Sequence, residues 1–264
     1  MNLEPLLLSD GCRATAQGLV LVDDEGTWFQ PGLGRPFGSS VPTRVPRLAV
    51  AVEGVDISSL EDLHNYGTVI EGKTRLTGTW RNGALTVQRQ DAWVEEPHVQ
   101  RWRHPPCPPP PAGWPTGPER ENIDFGDCES DRDEVVNITT FRPSDHQAVL
   151  VVASLDVQRT RDRWASVIRD RLCVIPSRYT RDQVRQLRAD LNEHWDSWLQ
   201  CDSGETSAED GQVLVDVHIA RATPELVEYA RTVPPGLLEV TAWLAPIGPH
   251  ENPITRHPRG VIVV

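Results

Sequence analysis

Lysine is almost absent from this chain, because Lys73 is the only one and arginine supplies the rest of the 26 basic residues. The formal net charge is −12. That charge disfavours a protein whose whole surface binds nucleic acid or an anionic membrane, since both partners require an excess of cations. No run approaches the roughly 18 apolar residues of a membrane-spanning helix. We therefore expect another protein as the partner and no membrane association.

Motifs for nucleotide binding and common catalysis are also missing. The first strand-to-helix turn of the C-terminal half, at residues 153–156, has neither a glycine-rich phosphate loop nor a Walker lysine. Candidate nucleophiles and bases lie in this half without a spacing that joins them: Ser177, Cys201, Ser203, His194 and His218. We expect no cofactor and no metal. Enzymatic activity stays undecided, with a non-enzymatic protein favoured.

The five cysteines form no C-x-x-C pair. The N-terminus lacks the basic region of a secretion signal, so we expect a cytoplasmic protein, exported only if the start site is misassigned. Cys107 and Cys128 are a candidate disulfide, to be formed only in an oxidising compartment. Cys173 lies in an apolar strand pattern, where cysteine is typically an inert small hydrophobe.

Prolines crowd residues 105–118, and an acidic stretch follows them. Proline locks φ and cannot donate a backbone hydrogen bond, so this segment predicts a stiff connector between two modules. The predicted organisation is a β-rich module at 1–104 with its core at about 46–95, a connector at 105–140, an α/β module at 141–247, and an extended tail at 248–264.

The first module alternates β-prone runs with turn residues and predicts a small β-barrel-like structure. Residues 18–22 and 27–29 predict one hairpin, and Asn82-Gly83 predicts another with a type I′ turn. The run 47–90, with glycines at its bends, resembles the opening strands of an OB-type barrel. This resemblance implies a face that binds oligonucleotides or oligosaccharides.

The same resemblance implies Trp80 as a stacking platform, with cationic side chains near the phosphates: Lys73, Arg75, Arg81 and Arg89. The alternative for Trp80 is a core residue at the end of a strand.

The second module has a clear βαβ pattern, with strands at 149–153 and 172–175 around a helix at 157–170. Thr180 and Gln183 form a capping box before a second helix, and Thr223-Pro224 begins a third. Strands at 213–219 and 237–240 complete a predicted two-layer α/β sandwich of order β-α-β-α-β-α-β. Residues 201–205 are predicted to be a polar loop. Residues 261–264 are predicted to dock as an added strand or in an apolar groove, most plausibly on the first module, and a frayed terminus is the alternative.

Between residues 157 and 190, nine arginines face four aspartates. This excess indicates either solvated helix faces or a docking surface for an acidic partner, for which the chain's own connector is one candidate. Residues 106–114, 171–174 and 223–226 together resemble uncharacterised proteins of actinobacterial type, which implies a fold and no activity. The sequence therefore predicts a non-enzymatic binding or interaction protein. Single-stranded nucleic-acid binding through the first module and an enzyme of unrecognised class remain alternatives.

Overall fold

The computed structural model describes residues 2–31, 48–94, 102–116 and 134–248, and the backbone of residues 260–263. These residues form a mixed α+β fold with fourteen strands and three α-helices. In the N-terminal third the strands are β1 (Arg13–Val22), β2 (Thr27–Gln30), β3 (Val50–Glu53), β4 (Glu61–Asn65), β5 (Ile70–Arg81) and β6 (Ala84–Asp91).

The remaining strands are β7 (Val135–Ser144), β8 (Gln147–Ser154), β9 (Leu172–Pro176), β10 (Gln200–Ser207), β11 (Val213–Ile219), β12 (Leu238–Ala242), β13 (Leu244–Pro246) and β14 (Gly260–Val263). The helices are α1 (Val157–Ile168), α2 (Arg181–Glu193) and α3 (Pro224–Ala230). Short 3-10 turns lie at Glu4–Leu6, Ile57–Ser59 and Arg169–Arg171.

Five of the first six strands form a closed barrel. The sheet has the order β13-β1-β2-β3-β6-β5-β4, and an additional pairing of β1 with β5 closes it. β3 runs parallel to β6, whereas the other barrel pairs are antiparallel. This arrangement is compatible with the OB-like resemblance. Closure gives each barrel strand two neighbours, so none is left as an edge.

Local sequence explains the bends of the barrel. Asn82 and Gly83 adopt φ values of 50° and 82°, as the predicted tight turn between β5 and β6 requires. Gly78 lies at the register shift between these strands. A Cβ atom at Gly78 would lie 2.1 Å from the Thr86 carbonyl oxygen, so only glycine fits there. The barrel interior is filled by apolar side chains, including Leu76 and Leu85.

The predicted single sandwich of the C-terminal half is instead two sheets, ordered β7-β8-β9 and β10-β11-β12-β14. The βαβ unit is present, with β8 parallel to β9 across α1. β9 then ends its sheet, and α2 leads to β10, which pairs with β11 in the other sheet. β7 and β10 were not predicted. The first half of β7 was assigned to the connector, and residues 201–205 of β10 were assigned to a polar loop.

The helix caps agree with the sequence signals. Thr180 and Gln183 exchange backbone-to-side-chain hydrogen bonds of 2.8 and 3.2 Å at the start of α2. Thr223 accepts from the Leu226 backbone N–H at the start of α3. Each cap satisfies a backbone donor that has no partner inside its helix.

The proline-rich stretch packs against a sheet. Trp102, Cys107 and Trp114 contact the cluster of buried side chains that contains Phe141 and Val149. Residues 102–116 therefore form a cover over one face of β7-β8-β9. The acidic residues that follow, at 117–133, lie outside the described residues.

The chain divides into two compact units that are discontinuous in sequence. One contains Met1–Glu96, Glu193–Gly204 and Asp216–Val264, and the other contains Pro97–Asn192 and Glu205–Val215. In the first, residues 260–263 form an added strand as expected. That strand pairs with β12, antiparallel from Glu239 to Ala242, and not with a barrel strand.

Candidate functional site

Trp80, the predicted stacking platform, lies in the barrel core. Its side chain is 8% exposed and belongs to the same cluster as Leu76 and Leu85. The guanidinium of Arg221 lies 5.9 Å from the centre of the Trp80 ring. A base needs an open ring face on which to stack, and this ring is enclosed. Trp80 therefore occupies the position that the alternative interpretation predicted, that of a core residue at the end of a strand.

Two of the predicted phosphate-binding arginines differ strongly in exposure. Arg75 is 1% exposed and lies opposite Gln17 in the β1–β5 pairing. Burial is the main reason that the pKa of its guanidinium is lowered. Arg81 is exposed at the end of β5. Arg75 is thus part of the interior, and of these two only Arg81 is accessible to a ligand.

The other two predicted cations are paired with carboxylates. Lys73 Nζ lies 2.8 Å from Asp62 Oδ2, and this hydrogen bond lowers the pKa of Asp62. Arg89 lies 2.8 Å from Asp91, and the hydrogen bond raises the pKa of Arg89. Both cations are thus paired with a carboxylate, with which a phosphate would have to compete.

The loop between β1 and β2 is acidic, with Asp23, Asp24 and Glu25 in succession. Asp23 Oδ1 accepts from the backbone N–H groups of Glu25 and Gly26, at 2.9 Å each. Three adjacent carboxylates repel phosphates, so this loop disfavours contact with a nucleic-acid backbone.

The disulfide of the structure joins Cys107 to Cys173, with Cα atoms 5.8 Å apart. Cys107 therefore does not pair with the predicted partner Cys128, which lies outside the described residues. Cys173 is bonded as well as buried, unlike the inert thiol that its strand pattern suggested. The bond ties the proline-rich cover to β9.

The candidate catalytic groups do not meet. Burial is the main reason that the pKa of Cys201 is raised to about 12, so this free thiol is protonated at neutral pH and is a weak nucleophile. His218 Nε2 lies 3.0 Å from Asp216 Oδ2, and His194 stacks on Trp198. Ser197 Oγ donates to the backbone carbonyl oxygen of His194 at 3.2 Å and not to its imidazole ring, so this contact does not form a nucleophile–base pair.

The described residues also contain a groove that none of the sequence predictions anticipated. Its volume is about 420 Å³, it is open to solvent, and it lies within the unit that contains residues 97–192 and 205–215. It is lined by Trp102, residues 136–139 of β7, Arg181 of α2 and residues 205–207 of β10. The walls of the groove are thus the outermost strands of two sheets.

The β7 wall has backbone groups that point into the groove. The Arg142 N–H donates to the Trp102 carbonyl oxygen at 2.7 Å, on the side away from β8. Alternate residues of a strand direct their backbone groups to the same side, so the N–H and C=O groups of Ile138 and Thr140 also point away from β8. Neither residue has a backbone partner on that side among the described residues. The Ile138 side chain is 41% exposed.

The β10 wall repeats this arrangement. The Ser207 carbonyl oxygen accepts from Trp102 Nε1 at 3.1 Å, whereas the Ala208 N–H donates to Gln212 in the turn toward β11. The backbone groups of Glu205 therefore point away from β11, as those of Ser207 do. Asn137 Nδ2 donates to Ser207 Oγ at 2.8 Å and closes one end of the groove.

Charge at the groove comes from one carboxylate between two arginines. Arg181 Nη1 lies 3.3 Å from Glu205 Oε2, and Arg188 Nη1 lies 2.8 Å from Glu205 Oε1. Arg181 Nε also donates to the Val135 carbonyl oxygen at 3.0 Å, which fixes its guanidinium. The three side chains carry a formal charge of +1. Arg181 and Arg188 belong to the arginine-rich stretch at residues 157–190.

Comparisons with known proteins give no relative on which to base a function. No family model, curated protein or solved structure matches this chain. The resemblance to uncharacterised actinobacterial proteins therefore stays an expectation. Within the described part of the chain, there is no group of three or more side chains that could hold a metal ion, and no helix is long and apolar enough to cross a membrane.

Proposed function

We propose that this is a non-enzymatic interaction protein that binds an extended segment of another protein in the groove, by adding it as a strand to β7. One observation carries the proposal: the backbone groups of Ile138, which lines the open groove, and of Thr140, next along β7, point away from β8 and have no backbone partner among the described residues. Pairing of a peptide with a free sheet edge is a recurrent mode of protein recognition.

An unpaired strand edge exposes a protein to association with other chains. The presence of such an edge therefore supports a binding function for it. Soluble proteins usually cover such edges, because unpaired N–H and C=O groups invite association with other chains. This protein covers the edge of β12 with β14, and it closes the barrel strands on one another. On β7, Trp102 covers the edge at Arg142, whereas Ile138 and Thr140 have no backbone partner there among the described residues. The groove beside Ile138 has a volume of about 420 Å³, large enough for several side chains of a peptide.

The two alternative functions have weaker support. Single-stranded nucleic-acid binding would need Trp80 and Arg75 to be accessible, and both are buried. An enzyme would need reactive groups that converge in a cavity. The ionisable side chains that line the groove, Arg181 and Glu205, are ion-paired with each other. The groove therefore supports binding better than turnover.

The test is a display experiment on the full-length, oxidised protein. A phage library of random 12-residue peptides is selected for binding, and each enriched peptide is then measured against two variants. Ile138→Pro removes the outward N–H without touching the pairing with β8, because proline is tolerated where the N–H faces away from the sheet. Ile138→Ala keeps the N–H and shortens the side chain.

We expect peptides whose affinity falls at least tenfold in Ile138→Pro and changes little in Ile138→Ala. Circular dichroism and the melting temperature verify that each variant folds, and Thr140→Pro with Thr140→Ala repeats the comparison one position pair further along β7. A library without enriched peptides, or peptides that bind the proline and alanine variants equally, would refute strand addition at this edge.

The disulfide bears on where the protein works. Bonds such as Cys107–Cys173 form and persist in oxidising compartments and are rare in the cytosol. This pairing supports export and stands against the predicted cytoplasmic localisation. Alkylation of free thiols in intact source cells before lysis provides the test, since an exported protein will show Cys107 and Cys173 unmodified and a cytoplasmic protein will show both alkylated.

A further inference from the structure

At the groove, two arginines share one carboxylate, so the cations outnumber the anion. Glu205 is shared between Arg181 and Arg188, through a different carboxylate oxygen for each. Arg181 is held in place by its third contact, to the Val135 carbonyl oxygen. A guanidinium offers up to five donors, so the pair of arginines retains donors that Glu205 does not occupy.

Position connects these arginines to the open edge. Val135, which accepts from Arg181, lies three residues before Ile138 on the same strand. A strand rises about 3.3 Å per residue, so a peptide that pairs with Ile138 places a side chain two to four residues away beside Arg181. Glu205 lies on the opposite wall. An added strand therefore runs past the point where the two arginines meet their carboxylate.

We propose that the groove selects peptide segments with an aspartate or glutamate, whose carboxylate binds Arg181 and Arg188 and competes there with Glu205. Glu205 thus occupies both cations in the empty groove, and the carboxylate of the ligand displaces it. This inference rests on the proposed function and adds to it the chemical class of the partner. Charge complementarity carries it, since the three side chains have a net charge of +1.

The competition predicts effects of opposite sign for two nearby substitutions. Arg188→Gln removes a cation that the ligand needs, and we expect it to weaken acidic peptides about threefold, as is typical for an exposed ion pair. Glu205→Gln removes the competitor, and we expect it to strengthen the same peptides by about threefold. Arg185→Gln is the matched control, because Arg185 is on the same helix but pairs with Asp182.

The probe is the best-binding peptide of the 12-residue library, together with its version in which every aspartate and glutamate is replaced by the amide. We expect the amide version to bind more weakly than the acidic one, and the acidic one to weaken as sodium chloride is raised from 50 to 500 mM. Affinities are measured by isothermal titration calorimetry with the full-length oxidised protein and its three variants.

The outcomes separate this inference from the function on which it rests. Peptides that are lost in Ile138→Pro but carry no acidic residue, and that bind Arg188→Gln and Glu205→Gln as they bind the parent, overturn the carboxylate inference and leave strand addition standing. A Glu205→Gln variant that binds acidic peptides more weakly also overturns it, because Glu205 would then assist binding. A library with no enriched peptides overturns both.

Discussion

The barrel and the groove differ in how far their backbone hydrogen-bonding groups and charged side chains are paired. In the barrel, β1 and β5 pair along ten residues, each strand has two neighbours, and Lys73 and Arg89 are each paired with their own carboxylate. At the groove, Ile138 and Thr140 of β7 have outward backbone groups without a backbone partner among the described residues, and Arg181 and Arg188 share a single carboxylate. A residue type that suggests binding is therefore a poorer guide here than unused bonding capacity.

The largest expected effect concerns the disulfide between the proline-rich cover and β9. Replacement of Cys107 and Cys173 by serine opens a loop of 66 residues, and the loss of that constraint on the unfolded chain is expected to cost about 4 kcal/mol. Urea unfolding followed by tryptophan fluorescence measures it. Cys12→Ser is the control, because Cys12 is free. A double variant as stable as the control would show that the proline-rich cover does not need the bond.

A comparable substitution in the barrel separates its core from its surface. Trp80→Ala is expected to lower the free energy of unfolding by about 3 kcal/mol, since it leaves a cavity among buried side chains. Arg81→Ala, one residue away and exposed, is expected to change it by less than about 0.5 kcal/mol. Urea unfolding of both variants makes the comparison. Equal effects would contradict the assignment of Trp80 to the core.

Elements with strong local signals were predictable from the sequence. The Asn82-Gly83 turn, the capping box at Thr180 and the apolar run at 149–153 all lie in the structure as expected, because turn geometry, capping and burial each act over a few residues. The split into two sheets was not predictable. It depends on which strand follows α2 in space, and the polar sequence of β10 contains no alternating apolar pattern to identify that strand.

The candidate site was predictable only in part. Arg181 and Arg188 belong to a stretch for which solvated helix faces and a surface for an acidic partner were the two interpretations. The groove also needs β7 and β10, whose edges are properties of tertiary pairing. The reverse holds for Trp80 and Arg75. Their residue types suggested binding, and the OB-like resemblance gave them roles, but their burial follows from barrel closure, which no local pattern specifies.

A smaller effect is expected where the chain covers an edge with its own end. Deletion of residues 260–264 removes β14 and leaves the edge of β12 unpaired. We expect a loss on the order of 1 kcal/mol, or roughly 3 °C in melting temperature, together with greater aggregation at high protein concentration. Differential scanning calorimetry and light scattering measure the two effects. An unchanged melting temperature and unchanged light scattering would show that β14 does not protect the edge of β12. The comparison between the covered edge of β12 and the edge of β7 at Ile138 would then not hold.

The smallest expected effect is none, and it tests the barrel half of the comparison directly. A fluorescent 15-nucleotide single strand should not bind the protein in 50 mM sodium chloride, because Arg75 is buried, Lys73 and Arg89 are neutralised by Asp62 and Asp91, and the net charge is −12. Fluorescence anisotropy provides the measurement, with Arg81→Ala as the variant that removes an exposed predicted cation. Any nucleic-acid affinity supplied by phosphate contacts must fall steeply as salt rises. Binding at low salt that weakens with added salt, and that weakens further in Arg81→Ala, would show that the barrel surface is a functional site. The groove would then no longer be the better-supported binding site.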